Sequence, residues 1–344
     1  MATTTILKPA RTLRAPPVNA PGNLKPYRPS KQLPDWLIEE ARGTPKVDFD
    51  PAIHLKIQDP AQVYTMEQIG LAGEGISNTA ASDPFSLFTP DAILQFRREL
   101  FSEAVLANSQ YASAFATNMI RGYGPELAPF IFAAWHHPTV LAHISKIAGI
   151  ELVPVLSWDV GHVNASVNDP GAARSRDEKL ETDPDMCAYA WHRDSYPFVC
   201  VTMLSDCANM RGGETVMRTG DGGTVKVRGP TQGTAVIMQG RYIEHLALKA
   251  VGGRERISMV TSFRPKDAMA KDECVLTSIR PISEPNTLYS QFTSYRFKTL
   301  EERFRIMMER VQENRGKFDL QGVKDFLEEQ KEYIDATMGE LVEY

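Results

Sequence analysis

The chain has 344 residues, of which 42% are hydrophobic and 24% charged, with a formal net charge of −5. That composition is ordinary for a soluble globular protein and leaves room for one large domain or two. The acidic balance argues against a generic nucleic-acid binder, and no apolar run approaches the length of a membrane span.

Residues 1–45 read as a Pro-rich N-terminal arm, and 46–344 as a single domain. The first 34 residues carry six Lys or Arg and no acid. An extended arm is the plainer reading, and an arm that wraps the core or a partner subunit is the alternative. An organelle-targeting peptide would share the basic character. Seven prolines, at 9, 16, 17, 21, 26, 29 and 34, work against its amphipathic helix, so a cytoplasmic location is expected.

Asp35 to Arg42 predicts a short helix, and Gly70 to Ser77 a loop. A helical region over 89–148 opens on Thr89-Pro90-Asp91, a Thr N-cap followed by Pro at the first helical position. Ile93, Leu94, Phe96, Leu100, Phe101 and Ala104 then recur at helical spacing. Tyr111 to Ile120 reads as helix too. Pro129 to Ile147 does as well, split at Pro138. His54, His136, His137 and His143 read as structural or exposed.

From Leu152 the period shortens. Strands are predicted at Leu152 to Leu156, Trp158 to Val167, Cys187 to Asp194, Phe198 to Leu204, Thr215 to Arg218, Thr224 to Val227, Thr234 to Met238, Ile243 to Ala250 and Ile257 to Phe263. Asn168 to Gly171 reads as a turn, and Ala172 to Asp185 as a polar excursion near the site entrance. Thr219 to Gly223 is a tight hairpin signal. Its glycines are not a phosphate loop, because no helix follows. This set over 152–265 predicts a jelly roll. C-terminal helices follow over 285–342, interrupted at Asn314-Arg315-Gly316 and restarted by an Asp319 cap. Packing of these helices on the barrel is the plainer reading. A homodimer contact through them or through the arm is the alternative. The four cysteines, Cys187, Cys200, Cys207 and Cys274, form no CxxC pair, so a zinc ribbon is not expected. Cys200, in an apolar run, reads as a buried thiol, and the compartment as reducing.

Within the strand region His192 and Asp194 are two residues apart, so a strand would point both to one face. With His245 far downstream they make two histidines and one carboxylate, a set that leaves metal positions open as in non-haem Fe(II) oxygenases. His162 is the rival ligand, and a pocket or core role suits it better. Arg256 and Ser258 share a face in the same way. A guanidinium and a neighbouring hydroxyl suit the far carboxylate of a dicarboxylic 2-oxo acid. Arg254, just after Gly252-Gly253, reads as a turn residue.

This order of motifs resembles the Fe(II)/2-oxoglutarate-dependent oxygenases. The wording Ser157-Trp158-Asp159-Val160-Gly161-His162, Trp191 to Asp206, Gly212-Gly213-Glu214-Thr215, Gly240-Arg241-Tyr242-Ile243-Glu244-His245 and Met259 to Pro265 looks like a fungal branch often found with secondary metabolism. The resemblance runs from about Pro84 to Tyr295. It implies an α+β fold whose double-stranded β-helix core, jelly-roll or cupin-like, is buttressed by N-terminal and C-terminal helices. It also implies Fe(II) on His192, Asp194 and His245, with 2-oxoglutarate on Arg256 and Ser258, and O2 as co-substrate. Decarboxylation to succinate and CO2 would then drive oxidation of a C–H bond in a small-molecule substrate. Retention of Asp194 disfavours halogenation. Trp158, His162, Asn164 and Arg241 are the pocket candidates, because they flank the motif strands. An aliphatic amino acid such as valine, cyclised to an aziridine, is one substrate expectation, and a polyketide or terpenoid is another. A non-catalytic metal-binding jelly roll and a cupin-type hydrolase are the alternatives that the Arg-x-Ser pair disfavours.

Overall fold

Eight strands between His162 and Pro265 carry the site: β1 (His162–Val167), β2 (Cys187–His192), β3 (Phe198–Met203), β4 (Thr215–Arg218), β5 (Thr224–Val227), β6 (Thr234–Met238), β7 (His245–Leu248) and β8 (Glu255–Pro265). The structure is a computed structural model that describes residues 15–18, 33–112, 118–167, 187–208, 210–248, 250–313 and 316–343. The Asn168 turn, the Ala172 excursion, most of the arm and the Asn314-Arg315 stop lie outside the described residues.

The strands form two antiparallel groups. The larger sheet runs β6-β3-β8-β1, and the smaller runs β5-β4-β7-β2. Sequential strands thus alternate between sheets except at the β4–β5 hairpin, an order consistent with a jelly-roll core. Beyond β6 the larger sheet continues to Thr79–Ser82 and Val63–Thr65, and beyond β1 to Met119–Ile120 and Gln110–Tyr111.

Period-two alternation assigns the two faces of the larger sheet. Val163, Ala165, Ile257 and Met259 join one core cluster with Ile93, Phe96, Trp135 and Ile144 of the helices. Val199 and Val236 join another with Met217 and Val227 of the smaller sheet. One face therefore packs on helices and the other on the second sheet. Each large apolar side chain so buried contributes roughly 1.5–3 kcal/mol.

The covering helices are α1 (Asp35–Gly43), α2 (Pro90–Leu100), α3 (Pro129–Trp135) and α4 (Pro138–Ala148). Their boundaries follow local chemistry. Thr89 Oγ1 accepts from Ala92 N at 3.3 Å, with Pro90 at the first helical position. Pro138 starts a new helix, and His137 Nδ1 accepts from Thr139 N at 3.3 Å. Gly149 ends it in the left-handed region at φ 70°. The buried Glu99 carboxylate accepts from Phe130 N and Ile131 N at 2.9 and 3.0 Å, satisfying the open donors of α3. Burial raises Glu99 above the usual carboxylate range against those two bonds.

Arg97 of α2 reaches β8. It pairs with Glu255 at 2.5 Å and Glu40 at 2.6 Å, and is nearly fully buried. Ser205 Oγ donates to the same Glu255 carboxylate at 3.1 Å. The start of β8, and so Arg256, is tied to α1 and α2. After the core come α5 (Pro285–Glu313) and α6 (Leu320–Glu340), the latter capped by Asp319, which accepts from Gly322 N.

Three expectations are corrected. The strand predicted from Trp158 to Val167 begins only at His162, because Ser157–Asp159 close a 3-10 turn. The helix predicted over Tyr111 to Ile120 is replaced by strand at its described ends: Gln110 and Tyr111 pair with Ile120 and Met119, and the latter two pair with β1, while residues 113–117 lie outside the described residues. Docking on the sheet edge overrides local helix propensity there. The strand predicted from Cys187 to Asp194 stops at His192, because Asp194 N bonds to Gly240 O at 3.0 Å rather than to a ladder partner. Cys200 is a buried thiol whose pKa burial pushes up to about 12. Arg254 is in the turn before β8 and stacks on Trp36.

Candidate metal centre

β2 and β7 are neighbours, and His245 pairs directly with His192. Their ring centroids are 4.3 Å apart. The bond from Asp194 N to Gly240 O folds the chain past β2 back towards β7. Asp194 Oδ1 then lies 3.6 Å from His192 Nε2 and 3.7 Å from His245 Nε2. These separations are too long for hydrogen bonds. Donors bound side by side on one ion at about 2.1 Å stand about 3 Å apart, so small adjustments would seat an ion. The three residues are a group whose ligand atoms all lie within 4.8 Å of one another.

Three details fit a divalent cation. Asp194 Oδ2 is buried with no hydrogen-bond partner among the described residues. A Cβ on Gly240 would fall 1.8 Å from that oxygen and 3.2 Å from His245 Cε1, so only glycine leaves the carboxylate its place. His245 Nδ1 lies 2.9 Å from Ile243 O. A proton on Nδ1 is the tautomer this contact favours, which leaves the Nε2 lone pair for a metal. Burial, reinforced by His192, lowers His245 to about 4, so it is neutral at pH 7. Burial alone would raise Asp194. The neighbouring imidazoles, His245 first, outweigh it and hold the carboxyl below its ordinary value.

The facing sheet brings the other predicted residues to the same gap. Arg256, Ser258 and Val260 alternate onto the face of β8 opposite the Ile257 and Met259 core. β1 pairs with β8 so that Ser258 faces Asn164 and Val260 faces His162. Arg256 stands about 13 Å along the strand from the His162 level. Its own long side chain and a five-carbon diacid span such a gap between them. A cavity of about 330 Å3 opens at Arg256, with Met203, Cys207, Gly213 and Glu214 among its lining. A larger hollow of about 730 Å3, near Phe49 and His54, includes none of the metal-ligating residues.

The four pocket candidates separate. Trp158 Nε1, His162 Nδ1 and Asn164 Oδ1 are buried and have no partner among the described residues. Burial and the Arg121 charge lower His162 to about 3, with Asp194 opposing. Arg241 is already engaged, donating to Glu273 O at 3.0 Å and Pro16 O at 2.5 Å. The four remaining histidines sit elsewhere. His54 Nδ1 accepts from Asp50 N, His136 contacts Phe132 O, His137 caps α4, and His143 contacts Gln58 O.

Sequence reasoning missed Arg121, which is fully buried and paired with Asp159. Asp159 in turn accepts from Tyr196 OH at 2.8 Å, two residues past Asp194. The signal was the Arg121-Gly122-Tyr123-Gly124 run, whose two glycines have positive φ and cannot continue a helix. Sequence reasoning named Gly240 only as part of the motif wording and gave it no role.

Sheet order and ligand set together define a candidate mononuclear metal protein with a jelly-roll-like core. No protein-family model matches the chain, and no curated protein does. Among solved structures, an oxidoreductase of the 2OG-Fe(II) oxygenase family from Burkholderia pseudomallei is similar at 15% identity and TM-score 0.31, over 46% of this chain and 69% of that one. A prolyl-4-hydroxylase of Pseudomonas putida is similar at 19% identity and TM-score 0.30, over 52% and 88%. A prolyl 4-hydroxylase of Phytophthora capsici is similar at 12% identity and TM-score 0.36, over 75% and 88%. Likeness this distant leaves function to the site's own chemistry.

Proposed function

We propose that this chain is an Fe(II)- and 2-oxoglutarate-dependent oxygenase that oxidises a C–H bond of a small molecule. The reading is carried by the His192, Asp194 and His245 group, whose ligand atoms all lie within 4.8 Å of one another, together with the Arg256-x-Ser258 pair on a strand of the larger sheet. Two imidazoles and one carboxylate would hold a divalent metal while leaving positions for exchangeable ligands. A structural metal site would have no use for a guanidinium and hydroxyl placed to hold a second carboxylate. The alternation of strands between the sheets supports a double-stranded β-helix as the finer description of the core.

When bound, Fe(II) with 2-oxoglutarate and O2 supplies C–H oxidation, with succinate and CO2 as the products of the co-substrate. The chain's own residues supply position. His192, Asp194 and His245 hold the metal. Arg256 and Ser258 anchor the far carboxylate and so fix which end of the diacid faces the iron. Ile243 O holds the His245 ring in one orientation. His245 is buried, while His192 and Asp194 keep 29% and 19% of their side-chain surface exposed.

A place in the fungal secondary-metabolism branch belongs to the same proposal and rests on the motif wording. So does an aliphatic amino acid such as valine as substrate, with hydroxylation, desaturation or aziridine-type cyclisation as the outcome. A polyketide or terpenoid is the other substrate reading. The testing experiment adds Fe(II) and 2-oxoglutarate to the protein without oxygen and reads the weak visible charge-transfer band of the chelate. A band that His192→Ala and Arg256→Ala remove or weaken supports the assignment. No band at saturating ligand overturns it and leaves a metal-binding protein without oxygenase chemistry.

A further inference from the structure

Buried polar atoms almost always find a partner. Four residues at one corner of the larger sheet do not. Arg121 Nε and Nη1, Trp158 Nε1, His162 Nδ1 and Asn164 Oδ1 are all buried without one among the described residues.

The fold gathers these four. Met119 pairs with Asn164 and Ile120 with Val163. Arg121 follows by one residue, so by alternation it shares the face of Met119, as His162 shares that of Asn164. That face is the one turned to the smaller sheet and the metal ligands, because Ile120 and Val163 belong to the helix-side core. Gly122 lies against the Trp158 ring, where a Cβ would come within 2.5 Å. The Arg121 guanidinium bonds Asp159, Asp159 accepts from Tyr196, and Tyr196 lies two residues past Asp194. Arg121 is thus joined to the metal-ligand loop through a short chain of contacts.

Asp159 engages one nitrogen of Arg121, Nη2. A guanidinium at 0% exposure with donors left on Nε and Nη1 is poorly served by one contact. The ligand that suits a planar, permanently charged donor is a carboxylate. The diacid anchor is elsewhere, at the Arg256 end of β8, so this would be a second carboxylate position.

We propose that Arg121, flanked by Trp158, His162 and Asn164, seats a carboxylate of the substrate beside the metal. The word substrate rests on the oxygenase reading; the carboxylate site does not. The substrate class is then an organic acid, held by its anionic end with its carbon chain towards the iron.

The test is a titration of the full chain with a set of aliphatic, aromatic and 2-amino monocarboxylates, each beside its primary amide. It is read by ligand-observed NMR and by tryptophan fluorescence. Fe(II) and 2-oxoglutarate are present without oxygen, so that the Arg256 position is filled. We expect members of the acid set to bind at least tenfold more tightly than their amides. Arg121→Gln should abolish that preference, and Arg256→Ala should retain it. Because Arg121→Gln leaves Asp159 buried without its cation, with Tyr196 OH as its remaining hydrogen-bond partner, Arg121→Gln with Asp159→Asn provides a neutral pair whose melting curve reports folding. A folded double variant that still prefers acids overturns the proposal. So does an acid set that does not bind, or amides that bind equally. Failure of the oxygenase reading looks different: the chelate band is absent, whatever the acids do.

Discussion

His245 lies directly across the β2–β7 ladder from His192, with ring centroids 4.3 Å apart and Asp194 Oδ1 within 3.7 Å of both Nε2 atoms. The ladder, not a flexible loop, sets the distance between the two imidazoles. Replacing either histidine by Ala removes one of three ligands without removing a core side chain from the helix side. Metal affinity should therefore fall by at least 100-fold, beyond the 10–100-fold typical of outer-shell changes. Thermal stability of the metal-free protein should change little. Competition with a chromogenic chelator measures the first, and a melting curve in chelator the second. Unchanged affinity in both variants would rule these histidines out as ligands.

Gly240 is the narrowest point of the site. A Cβ there would overlap Asp194 Oδ2 at 1.8 Å, and its carbonyl holds Asp194 N. Gly240→Ala should displace the carboxylate and weaken metal binding by at least tenfold, comparable to losing an outer-shell contact. Gly222→Ala, in the β4–β5 turn where no atom lies within 4 Å of the added Cβ, controls for substitution in general, though its φ of +86° adds local strain. Equal metal affinities for parent and Gly240→Ala would show that Asp194 does not hold the ion.

Much of the fold was legible because its signals are local. Thr89-Pro90, Pro138 and Asp319 mark helix starts by capping chemistry that needs no partner element. The β4 and β5 boundaries fall where alternation and the Gly-rich turn place them. Tyr111 to Ile120 failed because its pairing partner, β1, lies far along the chain, and alternation over two residues at each end is too short to read. The ligand set was visible as residue types. Its geometry was not: Asp194 lies past the end of β2, and its position depends on Gly240, which carries no chemistry of its own. Arg121 carried only the indirect signal of its flanking glycines, and its full burial, which sets it apart from surface arginines, shows only in the fold.

Arg97 ties the start of β8 to α1 and α2 through Glu255 and Glu40, at 2.5 and 2.6 Å. Arg97→Met leaves Glu255 buried without its cation. Breaking a buried pair in this way costs roughly 3–5 kcal/mol. Urea unfolding should show that loss. Glu255 precedes Arg256, so 2-oxoglutarate affinity should also fall, although Arg97 does not touch the diacid position. The combined change Arg97→Met with Glu255→Leu should recover part of the stability, since it removes the orphaned charge. A double variant no more stable than Arg97→Met alone would contradict the buried-pair account.

His162 links pH to stability. Burial first, then the Arg121 charge, lowers it from 6.5 to about 3, while Asp194 works in the opposite direction. Between those values the unfolded chain carries a proton on this residue and the folded chain does not. Protons therefore favour the unfolded state, so stability is full above about 6.5 and is lost as pH falls towards 3. One such group contributes a slope of up to about 1.4 kcal/mol per pH unit in that window. His245 titrates in the same direction over part of the window, so the parent slope contains both residues. The difference between parent and His162→Gln isolates one of them. Denaturant melts of the metal-free protein across the window should give a shallower slope for His162→Gln, and equal slopes would place His162 in contact with solvent instead of between the sheets. Filling the Arg121 site with a carboxylate would add a negative charge beside the ring, raise the folded His162 pKa and so narrow the window below 6.5, leaving less stability lost to acid, an effect that Arg121→Gln should remove.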